Sequence, residues 1–521
     1  MRDILVTAIV LVWLFLILRK AHYGGYLWAW LSYMNPHKQC WGFAQTMPFA
    51  YASFVTTAFA MFMSKEPKRI PWTRETILLA VFMGWMTITT FMAFYSGLAW
   101  EQWNKVLKIL VGTFMTLMLI NNKDRIRIFI WVICLSLGYY GIKGGIFTIA
   151  HGGTYRVQGP ASTFFEGNNE MGLALIMTVP LMRYLHLVEP RHWVKLGLAG
   201  AMFLTTIAAF GTQSRGALVA LAAMGTMLWL KSRNKFMTAL LLGASIGAAV
   251  SIMPQEWWDR MNTIKTYQQD ESALGRINAW HTAFNVAKSN ITGGGYEMFR
   301  YPTFRQYAPD PNRVHDVHSI YFEVMGEHGF IGFFMFVSLI ALTWNKASGI
   351  IRACKKDPDK KWAADLAAML QVSLVGYMTG GAFLGLAYFD YFYHLIVLVV
   401  ITWTLVFKPD FYTAVAKKPG KKTMGAAPPP AAKPGMGRQM PTPATSSWPR
   451  SLSDLSDRSE PDGRARPVLH DFEAHSGPMQ REIGEKWSAL PTGAVDQSQV
   501  RQAPRQPTKH RKPRFEDQAH H

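Results

Sequence analysis

The chain of 521 residues is half apolar, with 13% aromatic and only 17% charged residues, and its net charge is +21. A soluble protein of this length would carry closer to a quarter charged residues, which argues against an ordinary soluble fold. The basic balance comes without a basic stripe interleaved with aromatic residues, so nucleic acid is set aside as a partner. Residues 408–521 hold 16 of the 28 prolines and no apolar run, while 1–407 are a series of apolar runs.

The N-terminus, MRDILVTAIVLVWLFLILRK, has the charge and apolar core of a signal peptide. No small-x-small cleavage site follows, and a further apolar segment comes at once, so it reads as an uncleaved membrane anchor. Runs long enough to cross a bilayer lie near 4–18, 43–63, 76–95, 106–120, 128–148, 170–188, 195–211, 216–230, 236–253, 319–344, 363–384 and 387–407. The Gly-broken stretch 21–34 is a further span or a re-entrant piece. The fold class is therefore an all-α polytopic membrane protein of about twelve transmembrane helices. Its expected parts are N-terminal spans (1–253), an outer loop with an amphipathic helix (254–318), C-terminal spans (319–407) and a disordered basic tail (408–521). The tail cannot bury enough apolar surface to offset its ordering entropy.

The connecting loops alternate in charge. SKEPKRIPWTRE (64–75), NNKDRIR (121–127), RYLHLVEPRHWVK (183–195), KSRNK (231–235) and NKASGIIRACKKDPDKK (345–361) are rich in Lys/Arg. SGLAWEQWN (96–104), HGGTYRVQGPASTFFEGNNE (151–170), GTQS (211–214) and the long 254–318 are not. This is the positive-inside pattern: the basic loops and the tail are expected in the cytoplasm, the neutral loops on the other side, with membrane lipids as partners. Cys40, Cys134 and Cys354 are far apart and imply no disulfide framework. A bacterial inner membrane with a periplasmic face is the expected setting.

Candidate chemistry sits in the neutral loops. Near 155–175, Arg156, Asn168, Asn169 and Glu170 stand at the outer end of a span, as groups that bind hydroxyl-rich ligands or as helix caps. In GTQSRGALVA, Ser214 is a plausible N-cap, which sets Arg215 beside a positive helix end suited to an anion; a snorkelling interfacial arginine is the plainer alternative. In DESALGRINAWHTAFNVAKS, Ala273, Ile277, Trp280, Phe284 and Ala287 recur at helical spacing. They mark a helix lying on the outer membrane surface, with Arg276 beside its apolar face. Arg276 is equally well a simple interfacial cation. In NRVHDVHSIYFEVMGEHG, His315 and His318 precede the span that opens at Ser319. They read as interfacial polar groups, as a metal pair with Asp316 that lacks further ligands, or as a general base, since the ordinary imidazole pKa suits proton removal near neutrality.

SRG (214–216), LGRINAW (274–280) and HSIYFEVMGEHGFIG (318–332), in that order and topology, resemble the O-antigen ligase family, polytopic enzymes that share the Wzy-type ligase domain. Ser319 stands where that family commonly has asparagine. The stretch MRDILVTAIVL…YMNPHKQCWGFA is also similar to a subgroup of O-glycosylation ligases. The resemblance implies a GT-C-type bundle with a large periplasmic helical loop. It implies a glycosyltransferase that moves a glycan from undecaprenyl diphosphate to a hydroxyl of lipid A–core lipopolysaccharide, with inversion and with no metal or other cofactor. Arg215 and Arg276 would hold the diphosphate, His318 would be the base, and Arg156, Asn168, Asn169, Glu170 and His315 would contact substrate. An O-antigen polymerase or a protein O-oligosaccharyltransferase shares the fold and the donor. A transporter is suggested by span count alone.

Overall fold

In the computed structural model, which describes residues 1–232, 234–262 and 271–412, each of the twelve apolar runs becomes a helix. In chain order the helices are α1 (Arg2–Arg19), α2 (Tyr23–Met34), α3 (Phe49–Met63), α4 (Arg74–Phe91), α5 (Ser96–Leu119), α6 (Lys123–Ala150), α7 (Asn168–Val188) and α8 (His192–Gly211). They continue with α9 (Arg215–Lys231), α10 (Lys235–Ile252), α11 (Gln255–Asn262), α12 (Glu271–Ser289), α13 (Tyr301–Tyr307), α14 (Ile320–Cys354), α15 (Lys361–Gly381) and α16 (Asp390–Phe407). No strand occurs among the described residues. Six of these helices (α6, α7, α8, α10, α14 and α16) are long and apolar enough to cross a membrane, and α3 is apolar but shorter. The chain is an all-α, multi-pass membrane protein.

Local chemistry sets the helix starts. Asn122, Ser214 and Asn234 each accept a backbone N–H of the following first turn (Arg125 at 2.9 Å, Ala217 at 3.2 Å, Met237 at 3.0 Å), which supplies one of the orphan donors of a helix N-terminus. The segment 21–34 is resolved as α2, whose twelve residues reach about 18 Å, short of the hydrocarbon thickness. It lies inside the bundle, with seven of its residues buried.

The centre is made by α7, α15 and α16, which are buried along most of their length. At the rim, α10 buries only Ala249, and α1 buries only Val10 and Ile17. A helix that is apolar on all sides, yet buried on so little of its surface, presents its remaining face to lipid. Between α6 and α8 the backbones nearly touch, since a Cβ at Gly145 would lie 2.3 Å from the Leu204 carbonyl oxygen.

The two classes of loop gather at opposite ends. At the basic end, Arg125 pairs with Glu66 (2.9 Å), Arg127 with Glu189 (2.6 Å) and Lys346 with Glu75 (3.1 Å). Residues 408–412 belong to this end, counter to the tail boundary expected at 408. Arg69 donates to the Phe411 carbonyl (3.1 Å), and the Tyr412 hydroxyl donates to the Leu117 carbonyl (3.3 Å). The rest of the Pro-rich tail, 413–521, lies outside the described residues. At the other end, Gln213 Nε2 donates to the Gly153 carbonyl (2.9 Å), Asn168 Nδ2 to the Thr212 carbonyl (2.8 Å) and the Phe94 N–H to the Gly294 carbonyl (2.9 Å).

Two features differ from the sequence expectation. Helix α14 runs ten residues past 344, because nothing interrupts the chain before Pro358, and it is broken at Gly329 (φ 67°). Into this break fits the loop 291–297: the Gly294 and Gly295 N–H groups donate to the Gly326 (2.8 Å) and Glu327 (2.9 Å) carbonyls that the interruption frees. The face of α12 is also turned. Gly275, Asn278, Ala279, Thr282, Ala283, Val286 and Ala287 are buried, in packing against α14, while Phe284 is exposed. Small residues let the two helices approach closely, and of the stripe that was expected to face lipid only Ala287 is buried.

A Cβ at Gly329 would sit 2.1 Å from the Ile291 carbonyl oxygen in a left-handed backbone. Gly349, on the same helix, has open space around it. Gly329→Ala is expected to lower the melting temperature of the detergent-solubilised protein by the equivalent of about 1–3 kcal/mol or more. Gly349→Ala should be neutral or stabilise by about 0.5–1 kcal/mol. Equal shifts in the two variants would refute the backbone argument.

Candidate active site

At the end opposite the basic loops, the strap from Asp310 to Ser319 is held against α12. The Asn278 side chain donates to the Asp310 (2.9 Å) and Arg313 (2.8 Å) carbonyls and accepts the Asp310 N–H (3.0 Å). The Trp280 indole N–H donates to the Val317 carbonyl (2.8 Å), and its ring stacks on Phe322 at 5.2 Å. Val317 packs with Ala279 and Phe304 in a small apolar cluster. The strap therefore has little freedom, and His318 is held within it at φ 41°, a left-handed conformation that is costly for a side chain of this size.

Two groups flank His318. Its Nδ1 lies 3.7 Å from Asp316 Oδ2, within ion-pair reach but too long for a hydrogen bond. The His315 ring meets it edge-on at 5.3 Å between centroids. Burial lowers the imidazole pKa below its ordinary 6.5, and the charges of Arg276 and His315 lower it further, against the opposing pull of Asp316. His318 is thus a neutral imidazole at neutral pH, able to accept a proton.

Beside the strap opens a cavity of about 840 Å³. Its wall includes His315, Asp316 and Val317, and His318 follows directly. Glu166, Glu170, Glu297, Asp316, Glu323 and Glu327 line it, with Arg300 and the His315 imidazole among them and Phe164, Phe299, Tyr388 and Phe389 as aromatic faces. Carboxylates and aromatic rings around a chamber of this size suit a hydroxyl-rich ligand. Its floor is a connected polar network. Tyr388 donates to Glu327 Oε2 (2.6 Å) and meets His328 Nε2 (2.8 Å), and His328 Nδ1 meets Thr89 Oγ1 (2.6 Å). Glu327 Oε1 accepts the Glu297 N–H (2.9 Å), and Glu323 Oε2 accepts the Ala387 N–H (3.0 Å).

The structure brings some of the expected residues together and separates others. Glu170 and His315 line the one chamber, and Arg276 lies within electrostatic reach of both Glu170 and His318. Arg215, half-buried, heads α9 at the same end, and the loop before it is tied to α7 by the Asn168 amide. That tie commits Asn168 to holding the loop. Asn169 stands beside it, half-buried. Arg156 lies in a second cavity with Arg2, Lys38 and Lys143. Ser319 is buried and makes no capping hydrogen bond. Among the described residues no three His, Cys, Asp or Glu side chains converge as a metal-ligand set.

The sequence reading leaves Glu323, Glu327, His328 and Tyr388 unassigned. A signal was present: ionisable residues inside an apolar run are expensive and mark function. EVMGEHG supplies three in six positions, on a stretch that reads as plain membrane span because the run around it is so apolar.

Residues 200–337, from α8 into α14, match the family model described as O-antigen ligase. Residues 1–189 match a family of unknown function. No curated protein matches the chain. The first match contains Arg215, Arg276, the His315–His318 strap, Glu323 and Glu327 in one continuous segment. This match, over about a quarter of the chain, supports an assignment to the O-antigen ligase family.

Proposed function

We propose that the chain transfers a glycan from undecaprenyl diphosphate to a hydroxyl of lipid A–core lipopolysaccharide, with inversion at the anomeric carbon and without a metal ion. The observation that carries this reading is His318, held in a left-handed turn between Asp316 and Arg276 beside a chamber large enough for sugar residues. The bundle is read as a GT-C-type glycosyltransferase of about twelve membrane crossings. It would sit in a bacterial inner membrane with the chamber facing the periplasm and the tail in the cytoplasm. The gathering of the Lys/Arg-rich loops at the far end supports that orientation.

In this scheme the acceptor hydroxyl gives its proton to His318 as its oxygen bonds to the anomeric carbon. The bond from that carbon to the diphosphate oxygen breaks, and its electron pair leaves with undecaprenyl diphosphate. Arg215 and Arg276 present planar forks of N–H donors to the departing phosphate oxygens. Such donors stabilise charge most where water is excluded, and losing one typically costs about 10²–10³ in rate. Asp316 stabilises the imidazolium once it forms. Glu170, Asn169 and His315 contact sugar hydroxyls.

The purified full chain, given lipid-linked glycan, should glycosylate rough lipopolysaccharide, and excess chelator should leave the rate unchanged. A product on a second lipid-linked glycan, or on a Ser/Thr peptide, would select a polymerase or a protein O-oligosaccharyltransferase instead. Loss in chelator that Mg²⁺ or Mn²⁺ restores would overturn the metal-free step. His318→Ala is expected to cost about 10²–10⁴ in rate with normal membrane insertion, and Arg215→Lys or Arg276→Lys about 10²–10³. Unimpaired variants would remove those residues from the mechanism.

A pH profile tests the Asp316–His318 pair. His318 must be neutral to act, so activity should fall on the acid side through a pKa below the ordinary 6.5. Asp316→Asn deletes the group that raises this pKa, so the acid limb should move to lower pH while the plateau rate drops. A limb that moves to higher pH would contradict the assignment.

A further inference from the structure

A second cavity, of about 490 Å³, opens at the same end of the bundle, behind the loop 157–167. That loop is a shared wall: Val157 to Pro160 face this cavity, whereas Thr163, Phe164, Glu166 and Gly167 face the acidic chamber. The electrostatics of the two chambers are opposite. Arg2, Lys38, Lys143 and Arg156 line the second, and no carboxylate does. None of the four is in an ion pair among the described residues. Arg2 lies over the Trp41 ring at 4.9 Å, Lys38 donates to the Gln45 carbonyl (3.4 Å), and Arg156 Nε donates to Gln213 Oε1 (3.4 Å). Lys143 has no hydrogen-bond or ionic partner there. The carboxylate of Asp3, next to Arg2 in the chain, is already taken up by the Gly42 and Ala44 N–H groups (3.0 and 3.1 Å).

Four like charges around one cavity repel one another unless an anion joins them, and they stand at the end that is otherwise poor in Lys/Arg loops. The surroundings define the kind of anion. Tyr139 in the cavity wall is exposed, as are Trp41 under Arg2 (86%), Tyr155 next to Arg156 in the chain, and Ile142 and Ile146 near Lys143 on α6. Trp and Tyr beside exposed aliphatic residues mark the headgroup level of a bilayer. Guanidinium and ammonium groups at that level match phosphate oxygens. Gln39 Nε2 donates to the Tyr140 hydroxyl (2.8 Å), which donates to the Met34 carbonyl, so the cavity wall is rigid.

We propose that the Arg2–Lys38–Lys143–Arg156 cavity binds the phosphate of a membrane-lipid headgroup, at a site separate from the His318 chamber. This does not depend on the glycosyl-transfer reading, because its readout is binding.

The test uses the purified full chain in neutral detergent, titrated with short-chain phosphatidic acid, with diacylglycerol of the same tails, and with inorganic phosphate. Bound lipid is counted by native mass spectrometry, and the melting temperature is followed in parallel. Phosphatidic acid should bind and raise the melting temperature, diacylglycerol should not, and inorganic phosphate should bind more weakly. Lys143→Gln should weaken the tightest phosphatidic-acid binding about fivefold, and adding Arg156→Gln should weaken it by a similar factor again. Lys355→Gln/Lys356→Gln at the basic end should leave that binding unchanged. Diacylglycerol binding as well as phosphatidic acid, inorganic phosphate binding as tightly, or full affinity in Lys143→Gln would each overturn the proposal. Lys143 is exposed and without a partner among the described residues, so its single variant decides the question even if the double variant fails to fold.

Discussion

An interrupted helix in an apolar bundle frees backbone carbonyls that have no water to turn to, and α14 meets that demand with a loop from its own chain. The N–H groups of Gly294 and Gly295 take the carbonyls of Gly326 and Glu327, and the Glu297 N–H takes the Glu327 side chain. Only glycine fits on both sides of this joint, where Gly293 and Gly329 would otherwise drive a Cβ into backbone atoms. The rest of the site hangs from it. The short segment before the break carries Glu323, Glu327 and His328 into the chamber and its floor. The strap that holds His318 enters at its head, and α12 packs along its flank.

Charge is sorted by place across the molecule. At the basic end, arginines and lysines pair with Glu66, Glu75 and Glu189, and the loops lock together. At the opposite end the loop 157–167 stands between a chamber rich in carboxylates and a cavity rich in cations. Such separation of sign over one loop's thickness has no packing value, since like charges destabilise each other in a low dielectric. It accords with the two proposals made for this end, sugar hydroxyls against the carboxylates on one side of the loop and a lipid phosphate among the cations on the other. The His318 imidazole lies beside the acidic chamber and takes its balance from both signs, Asp316 against Arg276.

The candidate residues came through the folding of the chain unequally. Arg276 and His318, 42 positions apart in sequence, are close enough to perturb one another, because Asn278 and Trp280 lash the strap to α12. Asn168 turned out to be a tie for the Arg215 loop, and Arg156 turned away to another cavity. Nothing in their spacing separates these outcomes, since all four belong to polar loops at the same end. Glu323 and Glu327 were present in the quoted stretch, one helical turn apart, and were outweighed by the apolar residues around them.

What the sequence determined by itself is the helical content and the two-ended sorting of the loops. Runs of apolar residues must satisfy their backbone internally in lipid, and loop charge is readable from composition alone. It also marked Arg215, Arg276 and His318, because cations and imidazoles are out of place in neutral loops. Only the tertiary structure decided that Arg276 and His318 come within electrostatic reach of one another, that Gly329 breaks α14, and that Tyr388 closes a network with Glu327 and His328 across some sixty residues. Those contacts depend on how helices distant in sequence pack side by side, and the energies that select them are pairwise and local in space. No window along the chain contains both partners.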